Sequence, residues 1–222
     1  MGDDEAKDLL KEARRGQYAL RDIGHRYDQR FQIALSGNSH VGKTTLFVRM
    51  CTHKYVQGLS ETIMSDTASF DLTSQHKHYE ITITDTAGTE RYTSTTVSLY
   101  RRKHLILLLY DITDRSSFVR LTFWADEVLR VNPTARVMLV GSKSDLHFKR
   151  EIKPELAYEW VRRRRAQHKQ HITFYGEISS KTGEGLECMK LKLITLLSTL
   201  NIPKRELSIK LNQPTVQHKG CC

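Results

Sequence analysis

A chain of 222 residues, 39% hydrophobic and 27% charged, has the length and balance of one soluble globular domain with appendages, and is long enough to bury a good core. No apolar run approaches the roughly 20 residues that a membrane-spanning helix needs. The net charge of +10 favours anionic partners. Its clusters, Arg101-Arg102-Lys103 and Arg162 to Arg165, stand apart and are not interleaved with aromatics, so they read as solvated helix faces and no nucleic-acid partner is expected.

Met1 to Glu5 is acidic and lacks a signal-peptide apolar region. Gly2 has alanine at position 6, where N-myristoylation expects Ser or Thr, so that modification is not expected. Residues 1–28 carry Leu9, Leu10, Ala13 and Tyr18 among many charges and read as an N-terminal extension, a frayed or partner-dependent helix of no legible function.

Arg30 to Ser36 then has the apolar content and length of a strand, and Thr45 to Met50 has helical spacing. Between them lies Gly37-Asn38-Ser39-His40-Val41-Gly42-Lys43-Thr44-Thr45, a match to G-x-x-x-x-G-K-[ST]. In a strand–loop–helix setting this loop surrounds a phosphate chain with backbone N–H groups and the positive end of a helix dipole. Lys43 adds a point charge near the outer phosphates, and the Thr44 hydroxyl is suited to Mg²⁺.

Cys51 to Asp66 is polar and without periodicity, as a loop would be. Ser69 to Thr73 and Tyr79 to Thr84 alternate around a polar turn and read as a hairpin. The continuously apolar Leu105 to Tyr110 reads as a strand covered on both faces. A helix over Ser116 to Arg130, a strand over Arg136 to Val140, a helix over Pro154 to Gln167, a strand over His171 to Tyr175 and a helix over Leu186 to Leu200 complete the alternation. The pattern predicts a doubly wound, mostly parallel six-stranded α/β sheet flanked by helices over residues 29–200, with its site at the strand C-terminal ends. Residues 201–222 are polar and read as a flexible tail.

Asp85 directly follows an apolar strand, where a P-loop protein holds a Mg²⁺-organising carboxylate. Gly88 lets a backbone N–H approach a γ-phosphate, and Thr62 offers a further hydroxyl to the metal. Asp145, two residues after Lys143, can accept two N–H donors from the edge of guanine. Ser179-Ser180-Lys181 can contribute a backbone N–H to the guanine oxygen. Cys51 and Cys188 read as core thiols and Cys221-Cys222 end the chain; no disulfide framework or metal-ligand spacing is present, which fits a reducing intracellular compartment.

Taken together, GNSHVGKT (37–44), Thr62, DTAGTER (85–91), SKSD (142–145) and SSK (179–181) resemble the Ras-like small GTPases. Tyr92, the run LYRRKHLILLLYDITDRSSF (99–118) and the terminal Gly220-Cys221-Cys222 resemble the Rab branch. The resemblance implies GTP and GDP as ligands, with Ser39, His40, Val41, Gly42, Lys43, Thr44 and Thr45 around the phosphates. It implies Mg²⁺ on Thr44, Thr62 and Asp85, with Gly88 sensing the γ-phosphate. Tyr55 would pack against the base, Lys143 and Asp145 would hold it, and Ser179, Ser180 and Lys181 would flank its oxygen. Residues 56–66 and 86–103 match the two nucleotide-sensing switch segments.

Several positions depart from the family. The catalytic Gln is Thr89, too short to orient the attacking water, so hydrolysis slower than the roughly 10⁻⁴ s⁻¹ of Ras is expected. Ser142 replaces an Asn that ties the base loop to the phosphate loop; the shorter side chain is expected not to reach both, and exchange to be fast. Met64 replaces a glycine, and Thr67 and Thr84 replace aromatics of the effector-facing patch. Cys221 and Cys222 resemble the doubly geranylgeranylated Rab terminus, and Lys204, Arg205, Lys210 and Lys219 would add attraction to anionic lipid. A switch on the cytoplasmic face of an intracellular membrane, with a carrier-bound cytosolic pool, is the implied setting. Exchange factor, activating protein, effector and lipid chaperone are the implied partners. Thr89 and Ser142 keep a second reading open, a pseudo-GTPase scaffold that holds GTP or little nucleotide.

Overall fold

Leu105–Asp111 is buried along its whole length, as a central strand covered on both faces must be. It is β4 of a six-stranded sheet whose order is β2-β3-β1-β4-β5-β6. The other strands are β1 (Gln29–Ser36), β2 (Asp66–Ser74), β3 (Lys77–Asp85), β5 (Arg136–Ser142) and β6 (Ile172–Glu177). All neighbours pair in parallel except β2 and β3. Among the elements described in full, the helices are α1 (Gly2–Asp22), α2 (Lys43–Thr52), α3 (Arg115–Val119), α4 (Leu121–Val131), α5 (Pro154–His168) and α6 (Leu186–Ser198), with a 3₁₀ turn at Ser144–Lys149. This computed structural model describes residues 2–22, 27–59, 66–86, 99–168 and 172–200. Within them the doubly wound architecture expected from the alternation is present.

Side chains alternate across each strand, so the sheet feeds two separate cores. Phe31, Ile33 and Leu35 of β1 face α2 and α6, meeting Leu46, Met50, Met189 and Leu193. Ile106 and Leu108 of β4, with Val137 and Leu139 of β5, face α4 and α5, meeting Trp124, Val128, Ala157 and Val161. Full burial of one such aliphatic side chain contributes about 1.5–3 kcal/mol. Both faces therefore hold the strand ends firmly. No helix among the described residues is long and apolar enough to cross a membrane.

The N-terminal segment, read as a frayed or partner-dependent helix, is α1, and the surface it packs on belongs to the chain itself. Ala6 and Leu10 stand four apart on one helix face and are buried in the same cluster as α2 and α6. The single helix expected over Ser116 to Arg130 is two helices, parted at Arg120, where ψ opens to −2° from the roughly −42° of a regular α-helix. The Asp114 carboxylate caps α3 by accepting from the Ser116 N–H at 2.8 Å. β6 runs two residues beyond its expected end, through Gly176 and Glu177, with a register shift between Leu139 and Val140.

The hairpin turns through Gln75 and His76, both at positive φ (50° and 60°), the geometry that matches strand twist in a two-residue turn. On the β2–β3 face away from α2, hydroxyls meet across the strands: Thr67 with Thr84 at 3.2 Å and Ser69 with Thr82 at 3.1 Å. Lys103 donates to Thr84 Oγ1 at 2.7 Å. A face that is aromatic in the resembling family is a polar ladder here.

Candidate functional site

β1 ends at Ser36 and the chain turns at Gly37, whose φ is 134°. A Cβ there would overlap the carbonyl oxygen of Leu109 in β4, so only glycine lets the loop leave the sheet this close to its neighbour. His40 (φ 62°) and Gly42 (φ 91°) are also left-handed. For His40 that conformation costs roughly 1–2 kcal/mol, strain of the kind kept at ligand sites. Lys43 opens α2, is buried, and arcs back to donate to Gly37 O at 2.9 Å and Asn38 O at 2.5 Å. Its charge is thereby held over the loop at the positive end of α2. Thr44 and Thr45 follow, half-buried in the first helical turn.

Three neighbours brace this loop. The Trp124 indole of α4 donates to Asn38 Oδ1 at 2.8 Å. Tyr100, fully buried, donates to Ser36 Oγ at 3.0 Å; burial pushes its phenol up to about 12, so it stays a neutral donor. Thr86 donates to Leu35 O at 2.8 Å, which fixes the residue after Asp85 to the end of β1. Asp85 is itself buried, at the last position of β3.

Ser142 overturns one expectation. Its hydroxyl lies 2.7 Å from Val41 O in the phosphate loop and 2.9 Å from Tyr110 O, so the short side chain does reach. The reason is register: Ser142 pairs with Asp111 at the end of β4, which sets its Cβ close under the loop. A hydroxyl has one proton and donates to one carbonyl at a time, where an asparagine amide has two. The tie is present but single. Replacing Ser142 by alanine leaves both buried carbonyls without it, at about 1–3 kcal/mol. Release of a fluorescent GDP analogue should then accelerate about tenfold, and Ser142→Asn should slow it; equal rates in all three proteins would show the tie to be immaterial.

On the base side, Lys143 (φ 62°) places Nζ 2.6 Å from Asp111 Oδ2. Asp111 Oδ1 also accepts from the Thr113 N–H at 2.8 Å and from its hydroxyl at 2.7 Å. Asp145 Oδ1 accepts from Ser179 Oγ at 2.7 Å. Ser179 is fully buried and its Oγ in turn accepts from the Thr182 N–H at 3.1 Å. Ser179 thus orients the carboxylate from behind, and Ser180 and Lys181 stand nearer solvent. Ile178 N donates to Gly141 O at 2.8 Å and Ser144 N to Ile178 O at 3.0 Å, stitching the two loops together. Phosphate loop, 142–145 loop and 178–181 loop form one hydrogen-bonded rim. Tyr55 is half-buried beside buried Val56, in the segment after α2. Thr62, Gly88, Thr89, Cys221 and Cys222 lie outside the described residues.

Among the described residues no three His, Cys, Asp or Glu gather as a metal cage. A Thr44 hydroxyl with the Asp85 carboxylate is instead an oxygen-only pair, the sparse protein contribution that suits Mg²⁺ completed by water and phosphate oxygens. Reading of the sequence missed Tyr100, Asp111 and Trp124, and the side-chain role of Asn38 as acceptor from Trp124. Asp111 carried a signal: like Asp85, it is a carboxylate at the C-terminal end of a buried parallel strand. Trp124 carried none, because its position fits the apolar stripe of α4.

The Ras family model matches residues 32–198. GTP-binding protein ypt4 of Schizosaccharomyces pombe is 33% identical over 178 residues, covering 78% of this chain and 74% of that protein. GTP-binding protein YPT1 of Saccharomyces cerevisiae is 37% identical over 136 residues, 61% of this chain and 66% of that protein. Ras-related protein RABD2a of Arabidopsis thaliana is 32% identical over 205 residues, 88% of this chain and 97% of that protein.

Proposed function

The chain belongs to the Ras family, as a divergent Rab-like small GTPase, and from that premise we propose that it works in vesicle trafficking as a membrane-attached switch with weak hydrolysis. The observation that carries this reading is the continuous rim from Lys43 through Ser142 to Asp145 and Ser179, which joins a phosphate cradle to a guanine-selecting carboxylate.

In this reading the loop from Ser39 to Thr45 binds the phosphates, and Lys43 neutralises their charge without reorganisation because its ammonium is already held in place. Thr44, Thr62 and Asp85 would hold Mg²⁺, which supplies charge neutralisation across the β- and γ-phosphates. Asp145, oriented by Ser179, selects guanine, while the Ser180 backbone serves the guanine oxygen. Lys143 is set against the base by its pairing with Asp111. Gly88 reports the γ-phosphate to the switch segments, which recruit effectors. Cys221 and Cys222 carry two geranylgeranyl chains, enough for stable yet extractable attachment to an intracellular membrane. Exchange factor, activating protein and lipid chaperone act on this cycle.

Thr89 sets the rate. Its hydroxyl is too short to orient the attacking water and spread its charge, so single-turnover hydrolysis by purified protein with Mg²⁺ should fall below about 10⁻⁴ s⁻¹. Thr89→Gln should raise it at least about tenfold, since one well-placed hydrogen bond in the transition state is worth more than about 1.4 kcal/mol. The scaffold reading rests on the same residue. Ser142, its other support, reaches the phosphate loop after all, so the observations favour a cycling protein. Retained GTP with no hydrolysis in either protein would reverse that preference.

A further inference from the structure

α1 ends, at its first residue, against the segment that carries Tyr55. A Cβ on Gly2 would overlap the carbonyl oxygen of Gln57 and stand 3.0 Å from that of Gly58. Helix and segment therefore meet backbone to backbone, with no side chain between them. Further along α1, Ala6 and Leu10 are buried, and they share one apolar cluster with Val56, the neighbour of Tyr55, and with Phe70 of β2. α1 packs on α2 and β2, the two elements that the segment joins. The segment has little regular structure of its own: α2 stops at Thr52, and His53 at φ 59° and Gly58 at φ 76° turn the chain. His53 and Lys54 are tied to the end of α2 by hydrogen bonds with Arg49 and Thr52, while Val56 and Leu59 pack on the apolar cluster that α1 shares, and the start of α1 closes on Gln57 and Gly58.

We propose that α1 is a positioning element of the nucleotide site: seated, it holds the segment 53–59 so that Tyr55 stays on the guanine base, and unseated, it lets the base go. The proposal rests on the reading of Tyr55 as the base-packing aromatic. The ligand involved is a guanine nucleotide, and the coupling is reciprocal by linkage: nucleotide holds α1 down as α1 holds nucleotide in. Any partner that takes up the Ala6–Leu10 face would thus act as a release factor without touching the phosphates. The mostly charged remainder of α1 keeps its own attachment weak enough for such exchange.

The experiment uses the full chain loaded with a fluorescent GDP analogue in Mg²⁺. Leu10→Ala removes buried methyls from α1 while keeping a strong helix former, and Gly2→Ala adds one methyl at the contact with Gln57. Release should accelerate at least about fivefold in Leu10→Ala and in the same direction, by less, in Gly2→Ala; site-to-site couplings of this kind run from about 5- to 150-fold. In a Tyr55→Ala background, Leu10→Ala should add nothing. Amide exchange in residues 2–12 should slow when nucleotide is bound. Release within twofold of the parent in Leu10→Ala overturns the proposal. So does an equal acceleration with Tyr55 already removed, which would mean general loosening. An unchanged rate in Tyr55→Ala alone would instead sink the reading of Tyr55, and with it the route assigned to α1.

Discussion

Replacing Asp145 by asparagine is expected to lower GTP affinity about a thousandfold and to turn base preference from guanine towards xanthine. A carboxylate accepts from both the N1–H and the amino group of guanine, and each hydrogen bond to a charged group contributes about 1.5–3 kcal/mol. The asparagine keeps one acceptor and turns a donor towards the guanine amino group, so one bond is lost and a donor–donor clash replaces it. Xanthine carries a carbonyl in place of that amino group and meets the same amide productively. The fold should not notice the change, because an amide oxygen can still accept from Ser179 Oγ as Oδ1 does now at 2.7 Å. The check is a competition titration of guanosine and xanthosine triphosphates against both proteins, with melting curves alongside. Unaltered guanine preference with an unaltered melting temperature would remove Asp145 from base recognition.

The parts of this site that could be read in the sequence are those whose chemistry is local. A buried parallel strand announces itself as an unbroken apolar run, and Leu105 to Tyr110 did so. The phosphate loop is legible because glycine spacing, lysine and hydroxyl all fall within nine consecutive residues. What escaped depends on distances between elements. Ser142 reaches Val41 O only because β5 pairs with β4 in one particular register. Side-chain length alone argued the opposite. The Trp124 indole meets Asn38 across 86 residues of chain, and on α4 it stands as one more buried apolar position. Docking of α1 was hidden for a different reason. Its apolar face is short, Ala6, Leu9 and Leu10 in a strongly charged stretch, and its groove is assembled from α2, β2 and the segment 53–59.

These two classes of feature divide the labour in the molecule. In the proposed function the local motif residues would meet the ligand, and the long-range contacts fix where the motifs stand relative to one another. Ser142, Ser179, Trp124 and Tyr100 all act from behind. Each ties one loop to another element, so strain or motion in one loop is felt in the next. The departure from the family at position 142 therefore falls on the bracing, and leaves the motif residues Lys43, Thr44, Asp85 and Asp145, proposed to face the ligand, in place.

Lys43→Met should abolish useful nucleotide binding, with a loss of about a thousandfold for GDP and GTP alike. The ammonium is buried, sits at the positive end of α2 and is fixed by Gly37 O and Asn38 O, so in the proposed site its charge would act on phosphate at short range and with reduced screening. With two of its three N–H groups on loop carbonyls, the lysine brings one charge-assisted bond, about twice as strong as a neutral one, together with its charge; loss of the two, on the order of 4 kcal/mol together, accounts for the factor. Methionine fills much the same volume, yet it leaves both loop carbonyls without their donor, at about 1–3 kcal/mol each. The nucleotide-free protein should therefore melt lower as well. Arginine should not rescue, because its planar fork presents a wider, differently directed set of donors than the compact ammonium that fits between Gly37 and Asn38. Base preference measured at high nucleotide concentration should stay with guanine, which separates this loss from that of Asp145→Asn. Equilibrium binding of fluorescent GDP, GTP and xanthosine triphosphate to the three proteins reads all of this out. An affinity within tenfold of the parent in Lys43→Met would show that the backbone N–H groups of the loop hold the phosphates without the lysine.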